Sequence, residues 1–237
     1  MSPVQYQQAA IDSHEGLREQ DATRIVLRPI ASPLPLAFLG LVVGSLLISA
    51  LQLHWVPPAQ RHELAIGVLA FTVPVQLIAC LYGFLCRDVV ASTGVGVLGG
   101  TWATLGVSLL TSPSSTTDPG LGILLVVAAG ALLIPATAAM TSKVVAALVL
   151  VLAATRFAIS GGYELTGAQV WQYASGVCGI VVAGVAAYAA LAAEVDSATR
   201  RSLLPMLRPP HGQRAVSGRL PDQVRTLGRE AGVREQL

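Results

Sequence analysis

From residue 34 onward the chain alternates long apolar runs with short polar breaks. The runs cover 34–56, 65–86, 89–111, 120–141, 144–160 and 168–194. Each meets or approaches the roughly 20 apolar residues that carry a helix across about 30 Å of hydrocarbon. The fifth is the shortest and needs residues 161–163 to reach across. This pattern predicts an all-α membrane protein, a bundle of six transmembrane helices. The breaks at Arg87-Asp88 and at Thr141-Ser142-Lys143 span only a few residues. The helices they join are therefore expected as antiparallel hairpins. A polar segment of mixed charge, 1–31, precedes the six-helix domain at 32–206. An arginine- and proline-rich tail, 207–237, follows it. The tail has no long apolar stripe and is expected to be disordered, with a short helix around Val224–Val233 as the one element it could form.

Composition agrees. The 237 residues are 53% hydrophobic and 12% charged, with mean hydropathy +0.64. A soluble domain carries about twice that charge, and a single soluble core could not absorb so much apolar surface. The first 30 residues hold no apolar run of the kind a cleavable signal peptide needs, so none is expected.

Charge placement predicts orientation. Six spans put both termini on one side. That side holds eight arginines between 196 and 237, Arg18, Arg24, Arg28, Arg87 and Lys143, whereas the opposite loops hold Arg61. Basic residues favour the cytoplasmic face. Both termini are therefore expected in the cytoplasm, and the protein in the plasma membrane. Its first partner is the lipid bilayer. Cys80, Cys86 and Cys178 all lie in apolar segments without metal-ligand spacing and read as free, packed thiols. No metal, cofactor or nucleic-acid partner is expected. There is no HExxH, no paired carboxylates, no Ser/His/Asp set and no phosphate loop, so an enzyme is not expected either.

Small residues recur along the spans: Gly40 and Gly44 on the first, Gly94, Gly96, Gly99 and Gly100 on the third, and Gly179, Ala183 and Ala187 on the sixth. They let helix backbones approach closely in lipid. Packing within the bundle and contacts between subunits both remain open at this level.

The first span opens with two prolines. Ser32 is expected to cap it, with Pro33 at the first helical position, where a missing N–H costs nothing. Pro35 still falls within the first turn, among donors that have no helical partner. The bland reading is a rigid helix start. The functional one adds that the remaining first-turn N–H groups favour an anion.

These residues also resemble a known family. The stretch Ser32-Pro33-Leu34-Pro35-Leu36-Ala37 is similar to the NPAPLG motif that opens the first span of the acetate uptake transporter family, the YaaH-like acetate/succinate transporters. Gln76 to Ala79 resembles that family's QxxAG segment, and Gly99-Gly100-Thr101-Trp102 its YGxFW neighbourhood. On the last span, Gly176 and Gly179, then Tyr188, then Arg201 to Pro205 resemble the family's ending. The resemblance covers residues 32–206. It implies a six-helix protomer of a homo-hexamer. Each protomer would carry its own path for acetate or a similar small carboxylate, proton-coupled or channel-like. By resemblance, Ser32, Pro33, Pro35, Leu36, Gln76 and Tyr188 belong to the path. Leu41 and Leu98 stand where the family narrows its path with a Phe and a Tyr. Asp88, Trp102, Gly176, Gly179 and Pro205 are motif or structural positions. Gly83 replaces an acidic residue common in the family, and Arg87 to Ala91 replaces its GNTFG turn. A second reading is a non-transporting sensor or scaffold on the same fold, acting through the arginine-rich tail.

Every carboxylate between residues 32 and 206 (Glu63, Asp88, Asp118, Glu164, Glu194 and Asp196) lies at a span end or in a loop. A mid-membrane proton relay usually needs one. Protons are therefore expected to cross with the solute as the undissociated acid, or coupling is absent. Arg156 stands out instead. It follows Lys143 by 13 residues, about 20 Å of helix, which puts it in the outer third of the fifth span. At a bilayer centre an arginine costs about 2.5–3.5 kcal/mol on insertion scales. It is expected either to snorkel outward or pair with Glu164, or to face a water-filled vestibule that draws in carboxylates; the family usually has an apolar residue there. Gln76 could bond a carboxylate or a neighbouring helix. Pro74 should kink its span. Tyr82, Trp102 and Tyr188 are more often packing residues than ligands, and His54 with Trp55 reads as an interfacial belt.

Overall fold

The computed structural model describes residues 30–112, 117–199 and 203–206. The segment 1–29 and the tail beyond 206, with the helix expected at Val224–Val233, lie outside the described residues. Among the described residues six helices are long and apolar enough to cross a membrane: α1 (Leu34–Gln52), α2 (Pro58–Leu85), α3 (Val89–Thr111), α4 (Pro119–Met140), α5 (Val144–Thr166) and α6 (Gln169–Thr199).

The number of spans and the two short turns are as the sequence implies; several limits are not. α1 stops at Gln52, four residues early, and His54 turns left-handed with φ 57°. α2 begins at Pro58 rather than 65, because a 3-10 turn at Pro58–Gln60 runs directly into Arg61–Gly67. α5 is not the shortest span. It continues to Thr166, where Gly167 closes it at φ 68°, a conformation that glycine adopts without strain. α6 runs five residues past the expected 194.

The starts have local causes. Asp88 caps α3, its carboxylate accepting from the Ala91 N–H at 3.3 Å. Asp118 caps α4 and accepts from the Gly120 and Leu121 N–H groups at 2.9 and 3.2 Å. Pro33, not Ser32, occupies the capping position of α1, one residue later than expected. Ser32 Oγ only accepts from the Leu34 N–H at 3.4 Å. α2 is composite: a π turn at Val68–Thr72 precedes Val73–Leu85, and the Val73 N–H bonds the Val68 carbonyl five residues back. Pro74 has no N–H to continue the regular ladder, so the register change sits where the helix would otherwise break.

Consecutive helices are neighbours, and α6 packs back on α1, so the six close a ring in chain order. Into its centre point Leu41, Leu98, Trp102, Leu125, Leu132, Val149, Phe157 and Val182, all buried. The outward faces carry Leu81, Val127, Ile134 and Val170, each more than 60% exposed. A soluble bundle would place charge there; a lipid-facing one needs this reversal. The glycine stripes serve the ring. A Cβ at Gly40 would stand 2.8 Å from Val75 Cγ1, and one at Gly44 2.7 Å from Thr72 Cγ2, so α1 lies directly against α2. At Gly176 it would meet Leu53 at 2.6 Å, where α6 meets α1. Among the described residues Cys80, Cys86 and Cys178 form no disulfide.

Candidate functional site

A cavity of about 80 Å³ enters the ring from the end that carries the α2–α3 and α4–α5 turns. One water needs roughly 10–15 Å³, so a solute of a few heavy atoms fits. Leu34, Ala37, Phe38 and Leu41 of α1 form one wall. Val95 and Leu98 of α3, with Ala146, Val149 and Leu150 of α5, form the others. The α1 residues share a face because helical positions three and four apart stack. Asp88 and Lys143 line the mouth, and Lys143 Nζ donates to Asp88 Oδ2, tying the two turns together. Leu41 and Leu98, each 2% exposed, belong both to the cavity lining and to the buried core. Leu41 and Leu98, the two residues expected at a constriction, thus lie where the cavity lining meets the packed core.

One helical turn beyond these leucines the interior becomes polar. On α1 come Ser45, Ser49 and Gln52; on α3 Trp102; on α5 Arg156 and Ser160; on α6 Ser175, all buried. Ser160 Oγ and Ser175 Oγ share a hydrogen bond of 2.5 Å, and Gln52 Nε2 donates to Ser160 Oγ at 3.5 Å.

Arg156 corrects its expectation. It lies 12 residues into α5, about 18 Å from its start, just beyond mid-height of the 23-residue helix rather than in an outer third. It neither snorkels nor pairs with Glu164: it is 2% exposed, and the Glu164 carboxylate accepts from the Asp118 N–H at 2.8 Å. The guanidinium lies 5.3 Å above the Trp102 ring, and its Nη2 donates to the Ser45 carbonyl at 3.2 Å. Trp102 in turn meets Phe157 edge-on, centroids 5.5 Å apart. Gly179 makes this placement possible, since a Cβ there would stand 2.8 Å from Arg156 Cζ and 2.2 Å from Ser49 Oγ.

The other expected residues separate. Pro33 and Pro35 are half-buried and Ser32 and Leu36 exposed; none of the four lines the cavity. Leu34, Ala37 and Phe38, interleaved with them, do. Gln76 is fully buried and spans two helices, its Nε2 donating to the Ala37 carbonyl at 3.0 Å behind the cavity wall. Of its two readings, the structure holds the neighbouring helix. Tyr188 is not brought to the cavity: it is 38% exposed on α6, and its hydroxyl donates to the Pro205 carbonyl at 2.9 Å. Pro205 is thereby tied back along α6. His54 and Tyr173 meet at the far end with their rings tilted by 49° and centroids 5.6 Å apart, near the exposed Trp55. The sequence reading missed Lys143 as a lining residue and the serines of the polar interior. Buried serines read as packing until the helices are arranged around them.

The GPR1/FUN34/yaaH family model matches residues 15–208. Among solved structures, that of the bacterial acetate channel SatP is similar, with TM-score 0.66 and 18% identity over 74% of this chain and 98% of that one. At this identity the likeness is one of fold. No curated protein matches the chain.

Proposed function

Because the chain belongs to the GPR1/FUN34/yaaH family, we propose that it is a membrane transporter or channel for small monocarboxylates, acetate first and succinate as a further candidate. It works in the plasma membrane, without catalytic chemistry, through a separate path in each protomer of a homo-hexamer. The single observation that carries the reading is the cavity that enters the ring between α1, α3 and α5, with the buried Leu41 and Leu98 in its lining. Its mouth carries the Lys143–Asp88 pair, and its neck is apolar. The fold shared with an acetate channel supports the same reading. Thirteen basic residues gather at the Lys143 end or in the segments continuous with it, which supports a cytoplasmic mouth and cytoplasmic termini. No carboxylate among the described residues lies at mid-height, so proton linkage, if present, runs through the protonated solute rather than through a side chain.

The test is flux into liposomes. Reconstituted protein should take up labelled acetate, with competition by propionate and weaker competition by succinate. Leu98→Trp, which fills the neck, should cut uptake at least tenfold while the protein still elutes as a single species. Absence of acetate uptake by well-folded protein, or undiminished uptake by Leu98→Trp, would remove this reading.

A further inference from the structure

Beyond the neck the ring holds a charge without a counterion among the described residues. Arg156 is 2% exposed, and among those residues its Nε and Nη1 have no hydrogen-bond partner, while its Nη2 donates to a neutral carbonyl. The Arg156 guanidinium stays protonated in any ordinary environment. Around it several further polar atoms are buried without partners: Ser45 Oγ, Ser49 Oγ, Thr72 Oγ1, Gln52 Oε1 and Trp102 Nε1. Most buried polar groups in folded proteins are bonded, and buried charges are normally paired. The cluster comes from α1, α2, α3 and α5, so no accident of one helix creates it. Four of the five groups can donate; Trp102 lies against the guanidinium, the Ser45 carbonyl accepts from it, and Ser49 Oγ and the guanidinium both lie against Gly179.

We propose that Arg156, with Ser45, Ser49 and Trp102, forms a buried site for one small monocarboxylate anion, one helical turn beyond the Leu41–Leu98 neck. This rests on the carboxylate reading above and deepens it: the solute passes as the ion. A guanidinium is a planar fork of donors that matches a carboxylate. Hydroxyl and indole donors can complete its oxygens' shells. The position is right for a solute that has crossed the neck. Ser45 follows Leu41 by four residues on α1, and Trp102 follows Leu98 by four on α3, so each lies on the same face one turn further on. A fixed cation at mid-height favours the ionised acid over the neutral one. Transport is therefore electrogenic and needs no proton to accompany the solute. The Trp102 ring under the guanidinium holds the cation in place when the anion leaves.

Two measurements test this and separate it from the transport reading. In a Trp55→Phe, Trp171→Phe protein, Trp102 is the remaining tryptophan and reports on the site by fluorescence. At pH 7 and constant ionic strength, sodium acetate should change its emission saturably, and the neutral isostere acetamide should not. Arg156→Met should weaken the acetate response at least tenfold. Should Arg156→Met fail to fold, Arg156→Lys and Ser49→Ala serve in its place, and each should weaken it about threefold or more. In liposomes, an imposed inside-positive potential should raise acetate uptake several-fold, and an inside-negative one should lower it. An acetate response unchanged by these substitutions, an equal response to acetamide, or uptake indifferent to the potential overturns the site. Saturable, Arg156-dependent binding without uptake keeps the site and removes the transport reading; uptake that ignores both Arg156 and the potential does the reverse.

Discussion

Gly179 shows how one missing side chain positions another. The Arg156 guanidinium and Ser49 Oγ both occupy space that a methyl group at 179 would claim. We expect Gly179→Ala to destabilise the protein by about 1–3 kcal/mol, as overpacking does in tight interiors, seen as a lower thermal midpoint in detergent. Adding Ser49→Ala should restore part of it, because Ser49 Oγ is the nearest clash at 2.2 Å. Equal midpoints for the single and double variants would refute that account. The sequence offered Gly179 as a family position and Arg156 as an oddity, but not their contact. The two are 23 residues apart on different helices, and only the α5–α6 packing brings them together. Gly83 is similar. A Cβ there would stand 2.2 Å from Ser92 Oγ, so the acidic residue common in the family has no room in this chain unless α3 yields.

At the scale of elements, helix starts were legible and helix phase was not. The proline pair marked the entry to α1 correctly to within a residue. A hydrophobic run does not say which of its faces turns inward, though, and Leu34, Ala37 and Phe38 took the lining positions assigned to their neighbours. Uniformly apolar helices leave no polar stripe to read. The limits failed for a related reason: caps and left-handed residues end helices, while hydropathy fades gradually. The tie between the α2–α3 and α4–α5 turns can be measured. Asp88 both caps α3 and pairs with Lys143, with side chains 20% and 37% exposed. Asp88→Ala should cost about 0.5–2 kcal/mol through the lost cap. Lys143→Ala should cost less than about 1 kcal/mol, as a solvated ion pair does. Thermal midpoints should therefore fall in the order wild type, Lys143→Ala, Asp88→Ala; equal midpoints for the two variants would show that the pair, not the cap, holds the turn.

At the scale of the molecule, the number of spans was readable because lipid demands about twenty apolar residues from every helix, whatever its packing. Closure of the ring was not readable, since nothing in a single run says that α6 returns to α1. Orientation and assembly extend the proposed function to this scale. Reporters fused to either terminus should both report the cytoplasm, and native mass spectrometry in mild detergent should find six copies. Opposite sides for the two termini would remove the cytoplasmic mouth, and a monomer would remove the hexamer while leaving the path within each ring intact.

The last helix carries its own ruler. From Gln169 to Tyr188 is 19 residues, about 28 Å of rise, close to the hydrocarbon thickness of about 30 Å. With Gln169 at one interface, Tyr188, whose hydroxyl donates to the Pro205 carbonyl, is expected at the other, and the turns up to Thr199 are expected clear of the oil. Val181 and Ala198 are both on the surface, yet they should meet different solvents. In a cysteine-free background, a water-soluble maleimide should label Ala198→Cys within minutes and leave Val181→Cys untouched until detergent strips the lipid. Labelled in that way, the final turns would be a place to graft a straight helical marker whose direction reports the tilt of the ring.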